Sequence, residues 1–198
     1  NSKFFNKIYR VDGQIDSWVD AETMSTIAYT SDLTERGRRK IRRFRVDSET
    51  GEAVSERRGK LKKITFDVSS ALDPLAYVYR GRALAGTTGS TFMLNLLTDD
   101  GVIETGSEVG KMKKFRTVDG KKMLLRVQPV TANGEMFDRK GKFIYWIDPG
   151  PARTAYRLEF HLPFGKLTAK YMGPAERSFD RRSEAEKADP TPLPSQAR

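Results

Sequence analysis

Almost the whole chain is cut into short apolar–polar alternations separated by turns carrying glycine or aspartate, and one stretch breaks that pattern. The exception is Ser69–Gly86, S-S-A-L-D-P-L-A-Y-V-Y-R-G-R-A-L-A-G. It predicts a helix over about 70–84. Ser69 or Ser70 can accept from the orphan amides of a first turn, and Asp73 suits the positive end of the helix dipole. Pro74 is compatible with the first turn only, where its missing N–H is not needed. Leu72, Leu75, Tyr79 and Ala83 share a face at helical spacing, and Gly81 ends or weakens the helix before Gly86 closes it.

The flanking segments have period two. Ile64–Val68 places Ile64, Phe66 and Val68 on one face. Met123, Leu125 and Val127 do the same in Lys121–Val130. Thr154–Leu162 sets Tyr156, Leu158, Phe160 and Leu162 against Arg157, Glu159 and His161. Asp12-Gly13, Asp100-Gly101, Asp119-Gly120 and Asn133-Gly134 are hairpin signals, because the tight turn needs the positive φ that Gly supplies. No alternation of strand and helix occurs, so the sheet is expected to be antiparallel. The expected fold is therefore mainly β: a strongly curved antiparallel sheet or incomplete β-barrel over 1–173, with one inserted helix. Residues 174–198 are polar and proline-rich, and read as a mobile tail.

Composition narrows the chemistry. Among 198 residues there is no cysteine and one histidine, His161, so disulfides, thiolate catalysis and multi-histidine metal sites are excluded. No apolar run reaches the roughly 18 residues of a membrane-spanning helix. Gly86-Thr87-Thr88-Gly89-Ser90 lacks the Gly-Lys-Ser/Thr ending of a phosphate loop. No catalytic residue, metal ligand or cofactor is assigned, and the chain reads as a binding protein rather than an enzyme.

The net charge of +10 points to an anionic partner. Twelve Lys/Arg crowd Arg36–Lys63, most densely at Arg38, Arg39, Lys40, Arg42, Arg43 and Arg45. Clustered cations of this kind can neutralise phosphates. Phe44 is the only ring among them, short of the aromatic interleaving of single-strand binders. A basic domain for nucleic acid or acidic polymer is thus the alternative reading, and a solvated hairpin edged with cations is its structural counterpart. For the main reading, Trp18, Tyr77, Tyr79 and Trp146 either line a ligand pocket or fill the core under the helix. Arg80 either meets an anionic head group or pairs with Asp73 or Asp148, and Arg157 stands with it as a candidate cation.

F-F-N-K-I-Y-R-V-D-G-Q-I-D-S-W-V-D at Phe4–Asp20, D-P-L-A-Y-V-Y-R at Asp73–Arg80, and K-F-I-Y-W-I-D followed by Tyr156–Tyr171 resemble an exported bacterial family, the domain of unknown function number 3108. The resemblance implies a β-rich, non-enzymatic envelope module, secreted or periplasmic, with a curved antiparallel sheet around a helix, similar in outline to periplasmic lipoprotein carriers. It transfers no active-site residues. Its expected partners are a lipid, a glycan or an envelope protein, bound as an anionic amphiphile would be on the concave side. Two departures accompany it: the family's usual strands before the Phe4 block are expected to be absent or removed here, and Pro149–Arg153 replaces the usual charged turn. A removed export signal is also expected before Asn1.

Overall fold

The computed structural model describes residues 11–35, 37–47, 49–66, 70–130, 135–136, 139–162 and 165–174. Strands β1 (Val11–Val19), β2 (Thr26–Glu35), β3 (Arg38–Asp47), β4 (Glu52–Arg57) and β5 (Lys60–Thr65) form a five-stranded meander in chain order. Helix α1 (Pro74–Leu84) follows. Then come β6 (Thr91–Thr98), β7 (Gly101–Val109), β8 (Lys113–Thr117) and β9 (Gly120–Val130). A two-stranded ribbon, β10 (Glu135–Met136) with β11 (Arg139–Lys140), precedes β12 (Lys142–Ile147), β13 (Ala155–Leu162) and β14 (Gly165–Lys170). The larger sheet has seven strands in the order β14-β13-β12-β9-β7-β6, with β8 also on β9. Its strand pairs are antiparallel, as expected for a mainly β chain, and among the described residues neither sheet closes into a barrel.

The registers explain how the large sheet bends. Val109 lies opposite Val127, and Lys113 opposite Leu124. β7 and β8 therefore follow one edge of β9 in succession, with one extra residue between them, while the Gly110 amide still donates to the Arg126 carbonyl at 2.8 Å. Such an inserted residue kinks and twists a strand locally. A second irregularity falls between Trp146 and Ile147, where Ala155 and Arg157 are the partners and Tyr156 is the extra residue.

One face of the large sheet carries α1. Tyr77, Val78 and Ala76 pack on Leu96, Val109, Leu125, Val127, Phe143, Tyr145 and Ile147. Most of these side chains are sealed from water, Tyr77 and Tyr145 completely. Burial pushes the Tyr77 hydroxyl up to about 12, although its 2.9 Å hydrogen bond with Ser107 Oγ opposes the shift. The small sheet closes on the far end of the β6–β7 hairpin through Tyr29, Phe44, Ala53, Ile64 and Leu97. Arg42, Ser55 and Arg57 reach across to Asp99 in the β6–β7 turn, at 2.9 Å each. Burial would raise the Asp99 carboxyl, but Arg42, Ser55 and Arg57 outweigh it and hold it below its ordinary value.

The helix begins at Asp73, not at Ser69 or Ser70. Asp73 Oδ1 accepts from the Leu75 and Ala76 amides at 2.8 and 3.1 Å. Oδ2 accepts from Ser17 Oγ of β1 at 2.6 Å and Thr26 Oγ1 of β2 at 2.8 Å. The Asp73 amide in turn donates to Thr26 Oγ1 at 2.7 Å. Pro74 sits in the first turn as expected. The expected helix face is corrected: Ala76, Tyr77, Val78 and Gly81 are buried, while Tyr79 is 46% exposed. The buried face combines the small Ala76 and Gly81, which allow close approach to the sheet, with Tyr77 and Val78. Gly81 does not end the helix. A Cβ there would fall inside the radius of the Tyr145 hydroxyl and at 3.3 Å from Phe92.

Other expectations shift too. Asp12-Gly13 is not a hairpin turn, since β1 runs through it opposite Thr34 and Leu33. Gly13 is needed for closeness instead: at φ +147° a Cβ would strike the Asp32 carbonyl. The basic stretch up to Lys63, for which a cation-edged hairpin was the structural reading, spans β3, β4 and β5, each antiparallel to the next, and its densest part lies in β3. The hairpins expected at Asp100-Gly101 and Asp119-Gly120 are present, with their two-residue turns one position earlier, at Asp99-Asp100 and Val118-Asp119, and each glycine opening the next strand. The start of the Phe4–Asp20 block, the Asn133-Gly134 turn and the tail from residue 175 lie outside the described residues.

Two stability measurements test this packing. Asp73→Ala should lower unfolding free energy by about 2–4 kcal/mol in urea titration, because it removes a cap and strands two hydroxyls. Gly81→Ala should cost about 1–3 kcal/mol through overpacking, despite alanine's better helix propensity. Tyr145→Phe should be close to neutral, since the hydroxyl makes no hydrogen bond of normal geometry among the described residues, and the double variant should recover most of the loss.

Candidate functional site

The six expected ligand residues do not share a surface. Tyr77 is sealed in the core. Tyr79 lies on the exposed side of α1 under the Arg82 guanidinium, 4.2 Å from its ring. Arg80 is half-buried on the same helix, and the carboxylates considered for it are engaged elsewhere: Asp73 as above, and Asp148 by Lys122 at 2.9 Å. Trp18 is 38% exposed on the small sheet. Trp146 and Arg157 are direct cross-strand neighbours, and they face away from the helix.

The basic patch is divided by strand alternation. Arg38, Lys40 and Arg42 share a face with buried Phe44, and Arg42 lies over that ring at 4.5 Å while bonding Asp99. Arg39, Arg43 and Arg45 fall on the other face. There Arg39 grips Asp32 with two bonds, at 2.8 and 2.5 Å, and Arg43 meets its cross-strand partner Glu56 at 3.0 Å. Much of this charge is therefore matched within the small sheet and its neighbouring turn.

A more concentrated arrangement occupies the outer face of the large sheet. Its floor is a second apolar cluster of Leu124, Ile144, Trp146 and Tyr156, flanked by Phe115 and Tyr171. Phe115 meets Trp146 edge-on at 4.8 Å. Tyr156 was expected beside Leu158 and Phe160, which pack toward the helix side. The bulge at Tyr156 turns it to the outer cluster instead.

Cations stand on this floor. Arg126, Trp146, Arg157 and Lys170 are consecutive register partners on β9, β12, β13 and β14. Two rows away, Lys142, His161 and Lys166 are likewise partners. Between these rows lies Glu159, 6% exposed. It accepts from Arg157 Nε at 2.5 Å and lies 3.2 Å from His161 Nε2 and 3.4 Å from Lys166 Nζ. Burial would raise its carboxyl, but Arg157, His161 and Lys166 draw it down to about 2. The Arg157 guanidinium also lies 5.3 Å from the Phe115 ring, and the Lys113 ammonium 5.8 Å from it. Lys113, Lys142 and Lys170 are exposed and meet no carboxylate among the described residues.

A corner of this face is pinned by the β8–β9 hairpin. Tyr156 donates to Asp119, and that bond is the first cause of its raised hydroxyl. Lys122 lies over the Tyr156 ring at 5.4 Å. Asp148 is held below its usual range by the Gly150 amide first and Lys122 second.

Sequence reading reached Arg157 and Trp146 but missed Arg126, Lys142, Lys166 and Lys170. Each is an alternate position on its own strand, so the period was visible. Their juxtaposition depends on register, which no single strand reveals.

Fold and surface together define a scaffold of antiparallel sheets with, among the described residues, one helix packed on the larger, and a cation-rich outer face. The chain belongs to the family described as Protein of unknown function (DUF3108), whose model matches residues 1–171. No curated protein and no solved structure matches it. Among the described residues no helix is long and apolar enough to cross a membrane.

The Glu159 cluster has a definite acid signature. Its folded value near 2 lies below the ordinary 4.5, so its contribution to stability is present above pH 4.5 and is lost as pH falls toward 2. Thermal melts should therefore show wild type losing its advantage over Glu159→Gln across that window, with the gap constant above it.

Proposed function

We propose that this chain is a non-enzymatic module of the cell envelope that captures an anionic ligand on the outer face of its large sheet. The observation that carries this reading is the set of exposed lysines and Arg157 on a rigid apolar floor, with one interior carboxylate among them. Long cationic side chains over apolar ground keep their heads in water while their stems are held, which suits contact with an anion. Binding of an anionic amphiphile, glycan or partner protein on the concave side, as first expected, is less well supported on the helix-bearing face, because residues of α1 pack into the core there. Glu159 is bonded to three basic groups and ionised far below neutrality, which makes it a poor general acid or base. This favours binding over catalysis. The envelope location rests on the sequence resemblance to an exported family.

The test is titration of the full chain with dextran sulfate at low and moderate salt. Lys142→Ala combined with Lys170→Ala should weaken binding by about tenfold, and added salt should weaken it further. Arg39→Ala combined with Arg43→Ala, on the small sheet, should leave it unchanged. Equal losses from both pairs, or none from either, would refute the assignment to the outer face.

A further inference from the structure

Resting on that reading, we infer that the ligand is a linear acidic polysaccharide laid across the strands along Arg126–Trp146–Arg157–Lys170. Because these residues are direct register partners on four successive strands, they form a line perpendicular to the strands. Its step is about 4.8 Å and its span about 14 Å. That step is close to the length of one sugar ring in an extended pyranose chain. An oligouronide of about four units therefore covers the row, its carboxylates spaced to meet Arg126, Arg157 and Lys170.

The remaining chemistry of the face separates this ligand from other polyanions. Gln128 and Thr168 flank the row on the same face, and supply the amide and hydroxyl groups that pair with sugar hydroxyls. Gln128 accepts from Arg126 through its carbonyl oxygen, which leaves its amide hydrogens for a ligand. Arg157 gives Nε to Glu159, and no described residue takes its terminal amino groups. Glu159 is thus a positioning residue: it fixes the guanidinium so that its outer edge points to the ligand side. Trp146, at 7% exposure, has no open ring face for a nucleobase. No apolar side chain of the row projects to enter a bilayer. Glu108, opposite Gln128 on β7, places a negative charge at that border and limits the row on its β7 side.

Calorimetric titration with the dimer, tetramer and hexamer of galacturonic acid tests the inference. Comparison probes are dextran sulfate, oligothymidylate of matched charge, and phosphatidylglycerol vesicles. Affinity should rise about tenfold from dimer to tetramer and level off at the hexamer. Arg126→Ala should lower tetramer affinity about tenfold, Arg126→Lys less, and Lys170→Ala should remove most of the gain beyond the dimer. A Trp18→Phe background leaves Trp146 as the reporter, and its fluorescence should change on binding. Length-independent binding, or equal affinity for oligothymidylate or the vesicles, would overturn the polysaccharide and leave the electropositive surface standing. Failure of every probe, dextran sulfate included, would overturn both.

Discussion

Withdrawn from water, the Asp73 carboxylate accepts from two helix amides and from two strand hydroxyls at once. A buried carboxylate is costly unless its lone pairs are met, so this group is satisfied only when β1, β2 and the first turn of α1 meet at one place. That requirement sets where the helix starts. The start decides which residues lie over the large sheet, and Gly81 then reaches the Tyr145 hydroxyl. Asp99 supplies the other polar tie, between the small sheet and the β6–β7 turn. With the two sheets fixed at both ends of their contact, their apolar residues have one way to interdigitate.

β12 shows how packing led to a functional surface. Phe143, Tyr145 and Ile147 point to the helix, and Ile144 and Trp146 point away, yet all five are buried. A strand buried on both sides cannot leave its outer face bare. Phe115, Tyr156 and Tyr171 cover it there, and the cations of the neighbouring strands extend over that cover. The cationic surface is in this sense the outermost layer of a second small core. Its charges are held on an ordered support, which lowers the entropy lost when they meet a ligand.

The legible part of the fold was local. Strand periodicity, the hairpins around Gly101 and Gly120, and the single helix could all be read along the chain. What was missed depends on partners distant in sequence. The Asp12-Gly13 pair has the chemistry of a tight turn, but Gly13 serves the close approach of β1 to the Asp32 carbonyl. Leu72, Leu75, Tyr79 and Ala83 have helical spacing, but the buried face combines Ala76 and Gly81 with Tyr77 and Val78. The basic run drew attention by density, while alternation split it between faces and Asp32, Glu56 and Asp99 matched much of it. Arg126, Lys142, Lys166 and Lys170 come from separate strands, and only pairing gathers them. Arg157 and Trp146 were both singled out, as candidate ligand residues, but not as cross-strand neighbours on one outer face.

The extra residue at Tyr156 acts as a phase shifter for everything downstream. Before it, odd-numbered positions of β12 look toward the helix; after it, even-numbered positions of β13 do. Removing Tyr156 itself would let Arg157 follow Ala155 in plain alternation, so Leu158 and Phe160 would keep their side and the outer cluster alone would lose a ring.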